Sequence, residues 1–316
     1  MRLRFLLALC LVPACGGSSN NNADAGPPDA GPLTNIGFTL PTKATHANME
    51  ISDKNWMDLG LADWSCLGTA STDAPMQADM TLTGQVVDFM NMSNGVPSAM
   101  VDAFDDINYT SPFKTLTADG SGKFTMTIPM GKERVGFKVH ADGYMDTFLL
   151  NQYWDPTMTA ESLNIGDISQ GLATALPAFI DFERQPGTGV LAGAMRDCSK
   201  HEVSNAIATV SSVSMMPTHL KGNVNGVDII ASSFYFSVST GLPAKHKDKQ
   251  ATDPDGLFTI FNLPPITGTA YLQVWGFKTD ADVAKGMDGL SLLAELPSPV
   301  LADNVITGSI EPLRTK

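Results

Sequence analysis

The five histidines are the residues around which a catalytic or metal site would first be sought. A zinc site of the His-x-x-Glu type needs a glutamate three residues after a histidine, and no histidine of this sequence has one. His201 and Glu202 are adjacent, but neighbouring side chains on a strand point to opposite faces. No two histidines lie within two residues of each other, and no nucleophile elbow, P-loop or dinucleotide-binding glycine pattern is present. We therefore expect no catalytic residue, metal or cofactor, and interpret the chain as not being an enzyme.

Aspartates cluster at two places where a calcium ion could bind. The first cluster is Asp102, Asp105 and Asp106, and the second is Asp253 and Asp255. Calcium takes six or more oxygen ligands from a defined loop, and neither cluster has the EF-hand spacing. We prefer the interpretation that these aspartates are solvated turn residues.

Three aromatic residues, Tyr235, Tyr271 and Trp275, are the candidate ligand-facing side chains. Strand alternation places Tyr271 and Trp275 on the face opposite Leu272 and Val274. An exposed row of this kind would stack on carbohydrate. The alternative is burial against the rest of the chain, which is the commoner fate of aromatic side chains.

The first fifteen residues predict export and a lipid anchor. Arg2 and Arg4 precede an apolar run from Phe5 to Val12, which is too short to span a bilayer because a span takes about 20 residues. The stretch Leu-Val-Pro-Ala-Cys that ends at Cys15 resembles a bacterial lipobox. The resemblance implies that a signal peptide, residues 1–14, is removed and that Cys15 carries a diacylglycerol thioether. The alternative is an ordinary cleaved signal that leaves Cys15 as a spare thiol.

Residues 15–35 predict a disordered spacer between this anchor and the folded part. The sequence Asp-Ala-Gly-Pro occurs twice, at 24–27 and 29–32, and a segment of such composition cannot bury enough apolar surface to offset its conformational entropy. The spacer is similar to those of myxobacterial exported lipoproteins. Gly16 and Gly17 stand where an aspartate would resemble an inner-membrane retention signal, which favours the outer membrane.

Cys66 and Cys198 are the two cysteines that lie outside the predicted signal peptide and the predicted lipid site. Thiols tend to pair in an oxidising extracytoplasmic compartment, so we expect a Cys66–Cys198 disulfide. The alternative is two separate buried thiols.

The chain is acidic, with 33 Asp and Glu against 20 Lys and Arg and a formal net charge of −13. Such a surface repels phosphate backbones and anionic headgroups. We therefore expect no nucleic-acid partner and expect membrane contact through the lipid alone, while a glycan or an envelope protein stays open as a partner.

An apolar period of two predicts β-strands through the first half of the folded part. Phe124, Met126 and Ile128, for example, alternate with Thr125 and Thr127.

The second half repeats the landmarks of the first half in the same order. The segment Thr-Ala-Asp-Gly-Ser-Gly-Lys-Phe at 117–124 returns as Ala-Thr-Asp-Pro-Asp-Gly-Leu-Phe at 251–258, and Leu-Thr-Gly-Gln-Val-Val-Asp at 82–88 returns as Leu-Ala-Gly-Ala-Met-Arg-Asp at 191–197. The order predicts a tandem duplication of one all-β unit.

The running pattern of the unit resembles that of carboxypeptidase regulatory-like domains. The matching positions of the first copy are Gly84, Val86, Asp88, Pro97, Ala99, Val101, Thr117, Asp119, Gly120, Gly122, Phe124, Pro129, Gly131, Val139, Ala141, Gly143 and Tyr144. The second copy departs more, since it has Met195 in place of a valine and a long insertion at 215–248. The resemblance implies an all-β fold of two tandem prealbumin-like (transthyretin-like) antiparallel β-sandwiches.

We place the first sandwich at 80–153, a connector at 154–188 and the second sandwich at 189–316. Residues 36–79 have no repeat partner, and we expect them to pack as an extended strap that Cys66 fastens near the start of the second copy. The tail, residues 304–310, is expected to close a sheet edge.

These patterns favour a membrane-anchored extracytoplasmic lipoprotein with a non-catalytic structural, ligand-binding or partner-binding role. One alternative is a carbohydrate-binding module for envelope or extracellular polysaccharide. Another is a metal-dependent enzyme with its site between the two sandwiches.

Overall fold

The computed structural model of the protein describes residues 39–106 and 109–315. The predicted signal peptide, the lipid site Cys15, the spacer and the first residues of the strap therefore lie outside the described residues. The described part contains no helix that is both long enough and apolar enough to cross a membrane.

The strap folds into a β-hairpin rather than remaining extended. Its strands are β1 (His46–Ser52) and β2 (Asn55–Leu61), which pair antiparallel. The turn between them contains Lys54 at a φ of 58°. Ahead of the hairpin, the Thr45 amide donates to the Phe277 carbonyl at 2.8 Å, so the strap is hydrogen-bonded to the second half of the chain.

The first sandwich packs two sheets against each other. Its strands are β3 (Met80–Asp88), β4 (Asn91–Gly95), β5 (Met100–Phe104), β6 (Lys114–Thr117), β7 (Lys123–Ile128), β8 (Val135–His140), β9 (Asp146–Gln152) and β10 (Ala160–Asp167). One sheet is built around β3, with β7 antiparallel and β10 parallel to it, and the other has the order β6-β5-β8-β9. Phe124, Met126 and Ile128 are buried while their neighbours on β7 are exposed, which confirms the predicted alternation.

Helix α1 (Gln170–Ala178) links the first sandwich to the second. The second sandwich contains β11 (Gly189–Met195), β12 (Glu202–Ser204), β13 (Ile207–Ser211), β14 (Lys221–Val224), β15 (Val227–Ile230), β16 (Ser232–Ser237), β17 (Leu242–Pro243), β18 (Leu257–Leu263), β19 (Ala270–Gly276), helix α2 (Asp280–Val283), a 3-10 helix (Gly286–Gly289), β20 (Ser291–Ser298) and β21 (Asn304–Ile310). One of its sheets has the order β17-β16-β18-β11-β21, and the facing sheet has the order β13-β19-β20. Strand β12 pairs with β1 and so joins the strap to this sandwich.

The strand pairings show the duplication that the sequence predicts. In each copy the first strand pairs antiparallel with the strand after the Asp-Gly turn and parallel with the last strand. The recurring glycines have matching roles. A Cβ on Gly84 would lie 2.1 Å from the Phe124 ring, and a Cβ on Gly193 would lie 2.9 Å from the Phe258 ring, so each glycine makes room for the aromatic ring of its partner strand.

Strand β21 joins the two sandwiches into one continuous sheet. It pairs parallel with β11 of its own sandwich and parallel with β9 of the first sandwich, which gives a nine-stranded sheet. The tail is thus an interior strand and not the edge strand that we expected. The all-β sandwich fold is confirmed. The strand pairing is not antiparallel throughout, because β10 runs parallel to β3, and β21 runs parallel to both β9 and β11.

The predicted connector, residues 154–188, contains a strand and a helix. Strand β10 belongs to the first sandwich because it pairs with β3 along its whole length. Helix α1 follows directly, begins with a cap in which Ser169 Oγ accepts from the Leu172 amide at 3.3 Å, and packs Ala173 into the core at the junction of the two copies. The boundary at 153 is therefore too early, because the strand that completes the sandwich has no apolar alternation strong enough to identify it.

Candidate functional site

A disulfide between Cys66 and Cys198 fastens the strap to the second sandwich. Backbone contacts surround it. The Cys198 amide donates to the Asp63 carbonyl at 2.9 Å, and the Asp63 amide donates to Asp197 Oδ2 at 2.9 Å. The predicted pairing is confirmed, and the bond has a structural role beside the strap hairpin.

Two of the three candidate aromatic side chains are in the core. Tyr235 is 4% exposed, and its hydroxyl accepts from the Ala208 amide at 3.1 Å. Trp275 is 8% exposed, and its Nε1 donates to Gln273 Oε1 at 3.2 Å. For these two residues the exposed row is wrong, and the alternative of burial against the rest of the chain holds. Both belong to a core cluster to which the strap also contributes Ala47 and Ala62. Tyr271 alone stays half-buried.

The carboxylates of the first aspartate cluster are hydrogen-bonded or ion-paired to other groups of the same chain. Thr115 Oγ1 donates to Asp102 Oδ1 at 2.5 Å, and Lys132 forms an ion pair with Asp105. The carboxylate of Asp106 accepts from backbone amides of the turn that follows it. Asp105 and Asp106 thereby shape a turn that lines a small cleft between the sandwiches, to which Arg134 and Leu296 also contribute.

Asp255 is buried and is not the solvated turn residue that we expected. It is 9% exposed, and Leu257 donates its amide to Asp255 Oδ1 at 3.1 Å. Burial raises the pKa of Asp255 to about 7, and the nearby charge of Asp253 adds to the shift. Among the described residues, no group of three or more His, Cys, Asp or Glu side chains is placed to hold a metal ion.

The strap hairpin exposes an unusual number of large apolar side chains. They are Met49, Ile51, Met57, Leu59 and Leu61, with exposures from 39% to 58%. The base of the hairpin is buried at Ala47 and Asn48, whereas residues 49–52 of β1 are exposed. Strand β2 is at the edge of its three-stranded sheet. A cluster of exposed apolar side chains on one element is typical of an interaction surface.

A second apolar surface is a groove where α1 meets the large sheet. Its lining includes Phe89, Met90, Leu176, Phe236, Leu242 and Phe261. Phe179, just beyond the helix, is 56% exposed. Most of the side chains that line the groove are apolar. The groove is therefore suited to an apolar group and offers a sugar few polar contacts.

Neither apolar surface was predicted from the sequence. The alternation of Met57, Leu59 and Leu61 was available as a signal, but apolar alternation ordinarily marks a buried strand face. What distinguishes these residues is that the strap has no repeat partner and therefore no second sheet to cover it. The groove has no such signal, because α1 and β17 lie far apart in the sequence.

No family model matches the chain, and no curated protein matches it. Solved structures do match at low similarity. The TIE protein of Bacillus anthracis matches at 13% identity and a TM-score of 0.24 over 74% of this chain, which spans only 34% of that protein. The shaft pilin SpaA of Lactobacillus rhamnosus GG matches at 13% identity and a TM-score of 0.21, over 75% of this chain and 98% of the pilin.

An enzyme is also among the similar structures. The 3-chlorocatechol 1,2-dioxygenase of Rhodococcus opacus 1CP matches at 12% identity and a TM-score of 0.22, over 40% of this chain and 74% of the enzyme. At these scores the likenesses carry no conclusion about function, which rests instead on the geometry of the chain.

Proposed function

We propose that the chain is a lipid-anchored extracytoplasmic protein with a non-catalytic structural or partner-binding role. The observation that carries this proposal is the position of β21 between β11 and β9. Because one sheet runs through both sandwiches, the two copies form a stiff body in place of two domains on a linker. Such a body suits a protein that presents a surface of fixed shape to a partner.

The contacts of the polar residues support a non-catalytic role. Two aspartates line the cleft between the sandwiches. Asp105 is ion-paired with Lys132, and Asp106 accepts from turn amides. Arg134, which also lines this cleft, donates to Asp73 at 2.7 Å and to Glu311 at 2.8 Å. These side chains hold the strap, the first sandwich and the C-terminal tail together, so they support a structural role better than a metal-dependent enzyme.

A carbohydrate-binding role has less support. Its aromatic platform would need Tyr235 and Trp275 at the surface, and both are in the core. A half-buried Tyr271 alone offers one stacking face. We therefore favour a protein or lipid surface over a polysaccharide as the binding partner.

The anchor and the location are part of the same proposal. Cys15 would hold the chain in the membrane, with the outer membrane favoured by Gly16 and Gly17. The acidic body would face the aqueous side, because its charge of −13 disfavours contact with anionic headgroups.

Fractionation of the full-length chain tests the proposal. The chain and its Cys15→Ser variant would be expressed in a Gram-negative host, and membranes would be washed with high salt and separated on a density gradient. We expect the unaltered chain in the outer-membrane fraction and the variant in the soluble extracytoplasmic fraction. A soluble unaltered chain would overturn the anchor, and an inner-membrane chain would overturn the favoured location.

A further inference from the structure

The strap hairpin is amphipathic along the part that projects from the second sandwich. Met49 lies directly opposite Met57 in the register of the two strands, so both side chains share one face. Glu50 lies opposite Trp56 on the other face. On that polar face, His46 Nδ1 also lies 2.8 Å from Asp58 Oδ2. The hairpin thus presents an apolar methionine face and a face with charged groups.

The hairpin is the first element of the described residues. The described residues begin at Thr39, and β1 begins at His46. About 25 residues separate Cys15 from Thr39, and a chain of that length and composition reaches about 25–30 Å on average. A seven-residue strand is about 23 Å long, so the hairpin can reach the membrane in which Cys15 would be anchored.

We propose that the apolar face of the strap hairpin lies on the surface of the phospholipid bilayer that holds the anchor. This inference rests on the proposed function, because it needs Cys15 to carry lipid. The anchor brings the hairpin to the bilayer, and Met49, Ile51 and Met57 bury their apolar side chains at the boundary between headgroups and acyl chains.

The charges of the hairpin define which lipid surface it fits. Asp53 and Lys54 at its turn carry opposite charges, and Glu50 and Asp58 are on the face away from the methionines. The chain as a whole is acidic. The contact is therefore apolar and fits a zwitterionic headgroup layer, and raising the salt concentration leaves it unchanged because no attraction between opposite charges holds it.

The open edge of β2 sets how deep the hairpin can lie. Its outward amide and carbonyl groups need hydrogen-bond partners, and the hydrocarbon core offers none. The hairpin consequently lies flat in the hydrated headgroup region and does not insert its turn into the hydrocarbon.

The test uses the full-length acylated chain in phosphatidylcholine vesicles. A fluorophore sensitive to polarity is attached at Ile51→Cys, and the matched control carries it at Met287→Cys, an exposed position in the 3-10 helix of the second sandwich. Because Cys15 is acylated and Cys66 is paired with Cys198, only the introduced thiol reacts. Vesicles with and without spin-labelled phosphatidylcholine are compared, and flotation of the vesicles reports the anchor separately.

We expect the label at Ile51→Cys to shift to the blue and to be quenched several-fold more by the spin-labelled lipid than the label at Met287→Cys. Adding Met49→Ser and Met57→Ser should remove most of that quenching while the chain still floats. A floating chain with equal quenching at the two positions would overturn the proposal. A blue shift without lipid quenching would also overturn it and would indicate a protein or a second copy on the hairpin. A chain that does not float would overturn the proposed anchor, and the hairpin contact with it.

Discussion

Asp167 is a buried carboxyl group that makes the stability of this protein depend on pH. It is the last residue of β10 and is fully buried. Its Oδ1 accepts from Thr147 Oγ1 at 2.8 Å and from the Ile168 amide at 3.1 Å, whereas its Oδ2 has no hydrogen-bond partner among the described residues. Burial raises the pKa of Asp167 to about 7, and the charge of Asp146 adds to the rise while that of His140 opposes it.

The Asp167→Asn variant is expected to gain stability relative to the unaltered protein as the pH rises. Below pH 3.8 the carboxyl is neutral in both the folded and the unfolded protein. Between about pH 4 and pH 7 the unfolded chain loses this proton while the folded chain keeps it, so the free energy of unfolding falls for the unaltered protein. The variant has no such loss, so its stability relative to the unaltered protein should rise by about 2–4 kcal/mol between pH 4 and pH 8.

Denaturant unfolding at pH 4 and pH 8 measures this difference. Asp255, which has a similarly raised pKa, affects both proteins equally, so the difference between them isolates Asp167. A stability gap that is the same at both pH values would contradict the account.

The repeated glycine beside each aromatic ring leads to a ranking of substitutions. Gly84→Ala would place a Cβ 2.1 Å from Phe124, whereas Gly193→Ala would place one 2.9 Å from Phe258. We expect both to lower the free energy of unfolding, Gly84→Ala by about 1–3 kcal/mol and Gly193→Ala by less.

Gly171→Ala is the matched control for this series. Its Cβ would meet nothing within 4 Å, and it lies in α1, where alanine is favoured over glycine by about 1 kcal/mol. Thermal unfolding should therefore show a small gain for the control. A Gly84→Ala protein as stable as the control would contradict the packing argument.

At the scale of elements, we expect β21 to couple the unfolding of the two copies. Ile306 is fully buried in β21, and Ile306→Ala should cost about 2–5 kcal/mol because it leaves a cavity. Since β21 pairs with both β9 and β11, we expect calorimetry to show one transition that shifts as a whole.

Ile230→Ala is the control for that substitution, because Ile230 is 53% exposed and its truncation should change the transition little. Two separate transitions, with only one displaced by Ile306→Ala, would show that the sandwiches unfold independently.

Elements whose sequence landmarks recur in both copies were the easiest to predict from the sequence. The strand β7 and its counterpart β18 share the Asp-Gly turn and the phenylalanine that packs on a glycine, so two copies of the signal supported each other. Strand β10 and helix α1 lacked such a signal. The role of β21 could not be predicted either, because its pairing with β9 depends on how the copies are arranged in space.

The candidate site was harder to predict than the fold for a related reason. Alternation along a strand predicts on which face of the sheet a side chain lies, but it does not predict what covers that face. Trp275 and Tyr235 alternate correctly with their neighbours, yet both faces of their strands are covered. The disulfide could be predicted because the expected compartment and the cysteine count left one pair.

At the scale of the whole molecule, the disulfide and Arg134 hold the strap and the two copies together. Cys66 and Cys198 are separated by 132 residues, and a bond that closes so long a loop contributes about 3–5 kcal/mol. We expect the double substitution Cys66→Ser and Cys198→Ser to lower the free energy of unfolding by about 3–5 kcal/mol. Reductant should lower the free energy of unfolding of the unaltered chain by a similar amount.

Denaturant unfolding with and without reductant checks this expectation. The doubly substituted chain is the control, since reductant should leave its midpoint unchanged. An unaltered chain whose midpoint is equally insensitive to reductant would contradict a structural disulfide.

The intact mass of the chain extracted from membranes in detergent tests the central claim most directly. After thiol blocking, the spectrum would be recorded with and without reductant. The account predicts a chain that begins at Cys15, carries two or three acyl groups and reveals two thiols only upon reduction. An unacylated chain with Cys66 and Cys198 both free would contradict the anchor and the fastened strap together.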